Sequence, residues 1–375
     1  MKRPTHLTLL AALSLLGPML QGCTQRPTAL PAAQPVAPSP SPPAEITVTD
    51  ALGRTLRFAQ PPQRIVVAGR NSLAAVETFY LFAEAGDRLV GAGTGNQKPG
   101  DFVSLIDPTF SQKAELQAGA GAEQISALQP DAVVMRSMNA ANVGKSLEAL
   151  GIPVIYLDLE TPDQFMRDVV TLGQVFANPA RAREITAFYQ AKLQAIIQAL
   201  EGLAEGARPR ALMLQYGEQG GEIALGVPSA SWLQTMQVEL AGGIAIWKEA
   251  AQAGGWTTVN LEQIAAWDPD VILVVSYAMD SRQVVAKLRT DVRWQALKAV
   301  KEGRIHGFPA DVFSWDQPDP RWILGVTWLA ARLHPQRFPG LDMQEEADEF
   351  FGKMYAVDRA SFEANIVPRL KGDIR

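Results

Sequence analysis

The chain has 375 residues, of which 47% are hydrophobic and 19% charged, and its net charge is −5. That length allows two domains or one large one, the composition is that of an ordinary globular protein, and the negative charge argues against a nucleic-acid partner, because phosphate binding needs a positive field. A single cysteine, Cys23, excludes a disulfide within the chain and any cysteine-pair zinc or redox site.

At the N-terminus Lys2 and Arg3 precede the apolar run LTLLAALSLLGPML. A short basic region followed by about 7–15 apolar residues is a secretory signal peptide, and the run is shorter than the roughly 20 residues that span a bilayer. It closes at Leu20-Gln21-Gly22-Cys23, which resembles the bacterial lipoprotein cleavage box, with Gln21 departing from the usual small residue. An ordinary signal peptide with a chance cysteine is the alternative; the sole cysteine falling where the lipid would attach favours lipidation of Cys23 and an anchor worth about 0.8 kcal/mol per buried CH₂. The stretch that follows, TQRPTALPAAQPVAPSPSPPAE, has almost no large apolar side chain and cannot offset its own ordering entropy. It reads as an extended tether.

In the body, ITVTDALGRTLRFAQPP predicts two short strands around a turn, and RIVVAG a buried strand ending in Gly. SLAAVETFYLFAEAG has helical spacing and a Gly stop. RLVGAG, DAVVMR and PVIYLD are further strands, with NVGKSLEALG a helix between the last two. Strands alternating with helices imply a mostly parallel sheet covered on both faces. From Pro162 the pattern is helical for about 40 residues, or about 60 Å, with Thr161 a suitable N-cap and Pro179 a kink or break. A second α/β series follows: the strands ALMLQY, EIALG, VILVVS and RIHGF, the helices SASWLQTMQVELAGG, SRQVVAKLR and DVRWQALKAV, then PRWILGVTWLAARLHP and a helical tail.

One phrase is written twice, as EQISALQPDAVV from Glu123 and EQIAAWDPDVIL from Glu262. Each reads as a short helix, a Pro-Asp stop and an apolar strand, once per lobe. The expected fold is therefore α/β: two doubly wound lobes joined by a single long helix, with a ligand cleft between the lobes. The expected boundaries are a signal peptide over 1–22, a tether over 23–44, an N-terminal lobe over 45–160, an interlobe helix over 161–205, a C-terminal lobe over 206–340 and a helical tail over 341–375. A helix of that length would restrict lobe motion to a small hinge.

The openings TDALGR and PPQRIVV, the DRLVGAG strand, the two Glu-to-Pro-Asp phrases, the long helical segment, ELAGG at Glu239–Gly243 and the late KEGRIHGFP occur in an order that resembles the class III substrate-binding proteins of ABC importers. These receptors take siderophore-bound iron, haem, vitamin B12 or, in some members, molybdate. The resemblance runs from Ile46 to about Pro339, and FSWDQPDPRWILGVTWLA is similar to the branch holding haem, iron and molybdate receptors. It implies a monomeric, extracytoplasmic receptor, here lipid-anchored to the bacterial cell membrane, that delivers a chelated-iron ligand, a ferric siderophore or haem, to an ABC permease dimer with its ATPase. Molybdate, tungstate or cobalamin is the alternative cargo. The resemblance also implies that one Glu on the outer face of each lobe docks onto permease arginines; Glu123 and Glu262 match those positions. Read by itself, each Glu is a good first-turn residue that complements a helix dipole by about 0.3–1 kcal/mol.

Ligands of open α/β lobes lie where strands run into helices. The N-lobe candidates are Arg70, Asn71 and Ser72, then Thr94 and Asn96, then Arg136, Ser137 and Asn139. Their two arginines and amides suit an anionic or metal-chelate ligand. The C-lobe candidates are Tyr216, Ser229, Trp232, Ser276, Tyr277 and Trp315, with Tyr216 and Trp315 able to stack on a flat ligand. Helical spacing also suits Trp232 for the core, Arg136 has the alternative of bridging to a local carboxylate, and Arg321 that of pairing near its helix start. Bare zinc or manganese is disfavoured: beyond His6, only His306 and His334 are present, and such sites want clustered His and carboxylate ligands. No cofactor is expected. An extracytoplasmic enzyme is the reading from another class, but neither GAGTGN nor AGAGAE completes a dinucleotide fingerprint, and no P-loop or nucleophile elbow occurs.

Overall fold

The computed structural model describes residues 45–94, 100–117, 119–219, 222–252 and 254–374. The segments expected to form a signal peptide and a tether, with Cys23 between them, lie outside these residues.

The chain opens with the hairpin β1 (Ile46–Thr49) and β2 (Thr55–Phe58). Its turn is built by Asp50, whose Oδ1 accepts from the backbone N–H of Leu52 and Arg54, at 3.0 Å each. The N-lobe then contains β3 (Ile65–Val67), α1 (Ser72–Phe79), α2 (Ala85–Arg88), β4 (Leu89–Thr94), α3 (Gly100–Ile106), β5 (Ala114–Gln117), α4 (Ala122–Ser126), β6 (Ala132–Arg136), α5 (Lys145–Ala149) and β7 (Val154–Leu157). The five strands from β3 to β7 form a wholly parallel sheet in the order β5-β4-β3-β6-β7. Alternate residues enter two cores: Ile65, Val67 and Val134 face one, Val66, Val133 and Met135 the other. Burial on both faces is what lets a parallel sheet persist. The strand order reverses between β3 and β6, which opens a crevice at their carboxyl ends.

The segment expected to be one long helix is two: α6 (Pro162–Val175) and α7 (Pro179–Ala199). Thr161 caps the first, its Oγ1 accepting from Gln164 N–H at 3.2 Å. Between them Ala177 turns left-handed, at φ 53°, and Asn178 caps the second helix at Arg181 N–H. Pro179 removes a helical donor and pushes Asn178 out of the helical region, so no helix can pass through. The two helices instead pack together. A Cβ on Gly173 would lie 2.6 Å from Ala182 Cβ, so the close approach needs glycine. At 1.5 Å per residue α7 is about 31 Å long, half the length that the helical pattern suggested.

The C-lobe comprises β8 (Arg210–Gln219), β9 (Glu222–Val227), α8 (Leu233–Leu240), β10 (Ile244–Ala245), β11 (Thr257–Thr258), α9 (Leu261–Trp267), β12 (Val271–Val275), α10 (Ser281–Thr290), α11 (Lys298–Lys301), β13 (Ile305–Gly307) and α12 (Trp322–Leu333). Its sheet runs β11-β9-β8-β12-β13, with β10 also paired to β8. β8, β12 and β13 are parallel, while β9 and β11 run against their neighbours. The tail, α13 (Met343–Tyr355) and α14 (Arg359–Ser361), reaches back to the N-lobe: Phe351 and Tyr355 meet Phe102 edge-on at 5.4 and 4.8 Å. One core runs continuously through α1, α7, β12, α12 and α13.

The repeated phrase is a structural unit in both lobes. Ile125 and Ile264 have no exposed surface. Gln129, in the turn after α4, and Asp268, at the end of α9, are left-handed, at φ 50° and 44°, and the Pro that follows each bars further right-handed helix. Asp131 Oδ2 then accepts from Gln63 and Arg64 N–H, and Asp270 Oδ2 from Arg210 N–H, all at 2.9 Å. Arg64 and Arg210 return the contact, Arg64 donating to the carbonyls of Leu128 and Gln129 in the turn after α4 and Arg210 to the last carbonyl of α9. Each Pro-Asp thus fixes where the neighbouring strand, β3 or β8, begins. Ile264→Ala is expected to cost about 2–5 kcal/mol in denaturant unfolding, whereas Glu262→Ala should stay within about 1 kcal/mol.

Candidate functional site

Asn139 rivets two strand ends together. Its Oδ1 accepts from Arg70 N–H at 2.8 Å, and its Nδ2 donates to the carbonyls of Arg70 at 3.2 Å and Arg136 at 3.1 Å. Gly69 makes this possible: it sits at φ 102°, and a Cβ there would lie 2.9 Å from the Asn139 amide. The turns after β3 and β6 consequently form one wall at the crevice of the N-lobe sheet.

Facing that wall across a cavity of about 690 Å³ is the C-lobe. The N-lobe contributes Asn71, Leu73, Ala74, Arg136, Met138 and Glu160. From the C-lobe come the aromatic group Trp232, Trp256 and Tyr277, together with Gln234 and the loop Gln317–Asp319. Trp232 and Trp256 meet edge-on at 5.8 Å, and Trp256 and Tyr277 at 6.3 Å. The Tyr277 hydroxyl donates to Asp316 Oδ2 at 2.7 Å, beside Gln234 Nε2 at 3.3 Å. Burial first, and then the Asp316 charge, raise the Tyr277 hydroxyl well above its usual value. The phenol therefore stays protonated and tethered, which leaves its partly exposed ring to the cavity.

Asn71, Arg136, Trp232 and Tyr277 are the sequence candidates that this cavity unites. The others are placed differently. Arg70 is exposed, with its backbone spent on Asn139. Ser72 is fully buried and donates to the Gly93 carbonyl. Ser137 donates to Asp158, and Asn139 is the rivet. Tyr216 lies in the C-lobe core, its hydroxyl on Glu218, and Ser229 is buried against Ser231 and Thr235. Ser276 accepts from Met279 N–H and lines a separate cavity of about 120 Å³. Trp315 has no exposed surface and donates to Asp311 Oδ2 at 2.9 Å, so it cannot stack on a ligand. Thr94 ends β4, but its side chain and Asn96 are outside the description. Glu123 and Glu262 are exposed in the first turns of α4 and α9.

Glu160, Trp256, Gln317 and Asp319 were not legible as site residues. Glu160 follows strand β7 and falls under the strand-end rule, but its neighbour Thr161 draws attention as a helix cap. Trp256 sits after Gly254-Gly255, a sequence context with no element to orient it.

Beneath the cavity lies a buried charge cluster. Arg321 has no exposed surface; its guanidinium reaches Asp311 at 2.9 Å, Glu77 at 3.1 Å and Asp319 at 3.9 Å. Phe102, Phe313 and Phe351 surround it at 4.6, 5.3 and 5.4 Å from their ring centres. Glu77 is one helical turn from Ala74 of the cavity wall, and Asp319 is itself in the opposite wall. Three carboxylates around one arginine are too many for a site without water. Burial, opposed by Arg321, pushes Glu77 up to about 7 and Asp319 up to about 8. His306 and His334 are held neutral, burial lowering the first to about 4. Among the described residues no group of three His, Cys, Asp or Glu could hold a metal ion.

Two α/β lobes enclose an aromatic cleft, and no helix among the described residues is long and apolar enough to cross a membrane. The family described as "Periplasmic binding protein" matches residues 67–312. The chain belongs to this family, as a class III ABC-importer substrate-binding protein. It therefore works outside the cytoplasm in solute capture for ABC import. The chain is 24% identical to the molybdate-binding protein MolA of Haemophilus influenzae, over 83% of this chain and 91% of the relative. It is 28% identical to the vitamin B12-binding protein of Yersinia pestis, over 58% of this chain and 70% of the relative. An ABC transporter solute-binding protein of Sulfurospirillum deleyianum shares its fold at a TM-score of 0.69 and 21% identity, covering 85% of this chain and 98% of that one. These relatives are binding proteins rather than enzymes.

The cluster sets a pH dependence. Glu77 and Asp319 bind protons more tightly folded than unfolded, so their contribution is present below about pH 4 and is lost as pH rises through about 7 and 8. Thermal unfolding between those limits should show stability declining with pH on their account, and Glu77→Gln or Asp319→Asn should flatten the decline.

Proposed function

We propose that this receptor captures a bulky metal chelate, a ferric siderophore or haem, and delivers it to the permease of an ABC importer. The observation that carries this reading is the size and lining of the interlobe cavity. Its 690 Å³ lies within the roughly 300–1,000 Å³ of small-molecule sites, and a bare oxyanion would leave most of it empty. Trp232, Trp256 and Tyr277 offer ring surface to a flat or aromatic ligand, while Arg136 offers a fork to its anionic groups. A small oxyanion, molybdate or tungstate, is the second reading, supported by the length of the match to the molybdate-binding relative.

The test is native mass spectrometry and absorption titration of purified protein with haemin, ferric siderophores, cobalamin, molybdate and tungstate. A chelate is expected to bind, and Trp232→Ala or Trp256→Ala to weaken it by about tenfold or more. Binding of molybdate alone, indifferent to both tryptophans, would sink the chelate reading.

Delivery is proposed to use Glu123 and Glu262, one per lobe, as paired acidic contacts for a two-fold symmetric permease, with the receptor held at the membrane through lipidated Cys23. Cellular uptake should be lost in the double variant Glu123→Arg, Glu262→Arg with ligand affinity unchanged, and Cys23→Ala should release the receptor from the membrane fraction. A fall in affinity in the double variant would place the pair in the wrong role.

A further inference from the structure

Arg136 and Glu160 face the same cleft and form an ion pair whose two halves differ in their surroundings. The Arg136 side chain is 4% exposed and the Glu160 side chain 45%. Among the described residues the buried Arg136 Nε finds no acceptor, so its guanidinium is only partly satisfied by Glu160. The asymmetry has a direct consequence. A half-exposed carboxylate is hydrated whether or not it is paired, so Glu160 can leave at little cost. A buried guanidinium without an anion is strongly destabilised, so Arg136 requires a replacement.

The backbone presents Glu160 to the cleft deliberately. Leu159, buried to 2% exposure, is left-handed at φ 60°, a conformation that a leucine adopts only when its surroundings impose it. The imposing group is Asp168, with no exposed surface, whose Oδ2 accepts from Asp158 N–H at 2.6 Å and Leu159 N–H at 2.9 Å. Gln164 Oε1 then accepts from Glu160 N–H at 3.1 Å. A buried carboxylate and a strained residue hold in place a turn whose one cleft-facing product is Glu160.

We propose that Glu160 is the partner of Arg136 in the empty receptor and yields that place to an anionic group of the incoming chelate, so that Arg136 selects the anion and Glu160 sets the affinity. The inference rests on the metal-chelate reading above and assigns a role to a residue outside the sequence candidates. The ion pair acts as an internal competitor. It keeps the buried cation satisfied without ligand, and a neutral ligand, with no anion to exchange for the carboxylate, leaves the pair in place and gains nothing from Arg136.

The test is absorption and calorimetric titration of wild type, Glu160→Gln, Arg136→Gln and the double variant with three probes. Haemin and ferric citrate carry carboxylates, and cyanocobalamin is a net-neutral chelate. Glu160→Gln is expected to tighten binding of the carboxylate chelates by about tenfold and to leave cyanocobalamin within about twofold. Arg136→Gln should weaken the carboxylate chelates, and in its background the gain from Glu160→Gln should vanish. Glu160→Ala is the second variant, expected to behave as Glu160→Gln does because the side chain is half-exposed. Weaker or unchanged binding of a carboxylate chelate in both Glu160 variants overturns the inference and leaves the receptor reading standing. Binding of cyanocobalamin alone does the same, and no binding of any probe removes the metal-chelate reading and this inference together.

Discussion

Arg321 and its three carboxylates hold the two lobes in register. A buried guanidinium costs several kcal/mol in lost hydration, repaid only when its partners are close and well aligned, and removing one partner of such a pair costs about 3–5 kcal/mol. Those partners come from both sides of the cleft: Glu77 from α1 of the N-lobe, Asp311 and Asp319 from the loop before α12. Tyr355 of the tail donates to Glu77 at 3.4 Å, and Phe351 of the tail closes over the guanidinium. Since Leu73 and Ala74 stand one turn from Glu77 and Asp319 is itself in the cleft wall, the ion cluster fixes how far apart the ligand-facing walls lie. Where the sequence suggests one unbroken helix between the lobes, the structure has two, and buried charge and a shared core join the lobes.

Below that constraint the lobes repeat one construction. A short helix anchored by a buried isoleucine is followed by a left-handed residue, Pro-Asp leads into the next strand, and the Asp carboxylate accepts from an Arg at the start of the neighbouring strand, which in turn donates back to the turn or helix end. Everything in the phrase from the isoleucine onwards is spent on the sheets. The glutamate at its head is exposed and makes none of these strand-joining contacts, so a substitution there can leave the architecture intact.

The cleft divides its polar residues between holding the wall and facing the cavity. Asn139 and Ser72 look like ligand contacts because they follow strands, yet their hydrogen bonds are consumed in joining β3, β4 and β6. Trp315 is drawn inside by Asp311, the same carboxylate that holds Arg321. What is left facing the cavity is more aromatic and less cationic than two strand-end arginines would suggest: Arg70 is in solvent, and Arg136 is already paired.

The two α/β lobes and the matching first-turn positions of Glu123 and Glu262 were legible in the sequence. All of these follow from local periodicity and from proline and glycine stops, which act over a few residues. Of its candidates, Asn71, Arg136, Trp232 and Tyr277 line the interlobe cavity. The sequence could not say that Pro179 breaks the interlobe helix rather than kinking it, because that depended on whether Gly173 and Ala182 could pack closely enough to repay a lost turn. Nor could it choose between Ser72 and Glu160, or between Trp315 and Trp256, as cleft residues. A side chain's direction at a strand end is set by which partner satisfies it: Gly93, from another strand, for Ser72, and Asp311, itself held by Arg321, for Trp315. Those partners come together only when the sheets and the tail have packed.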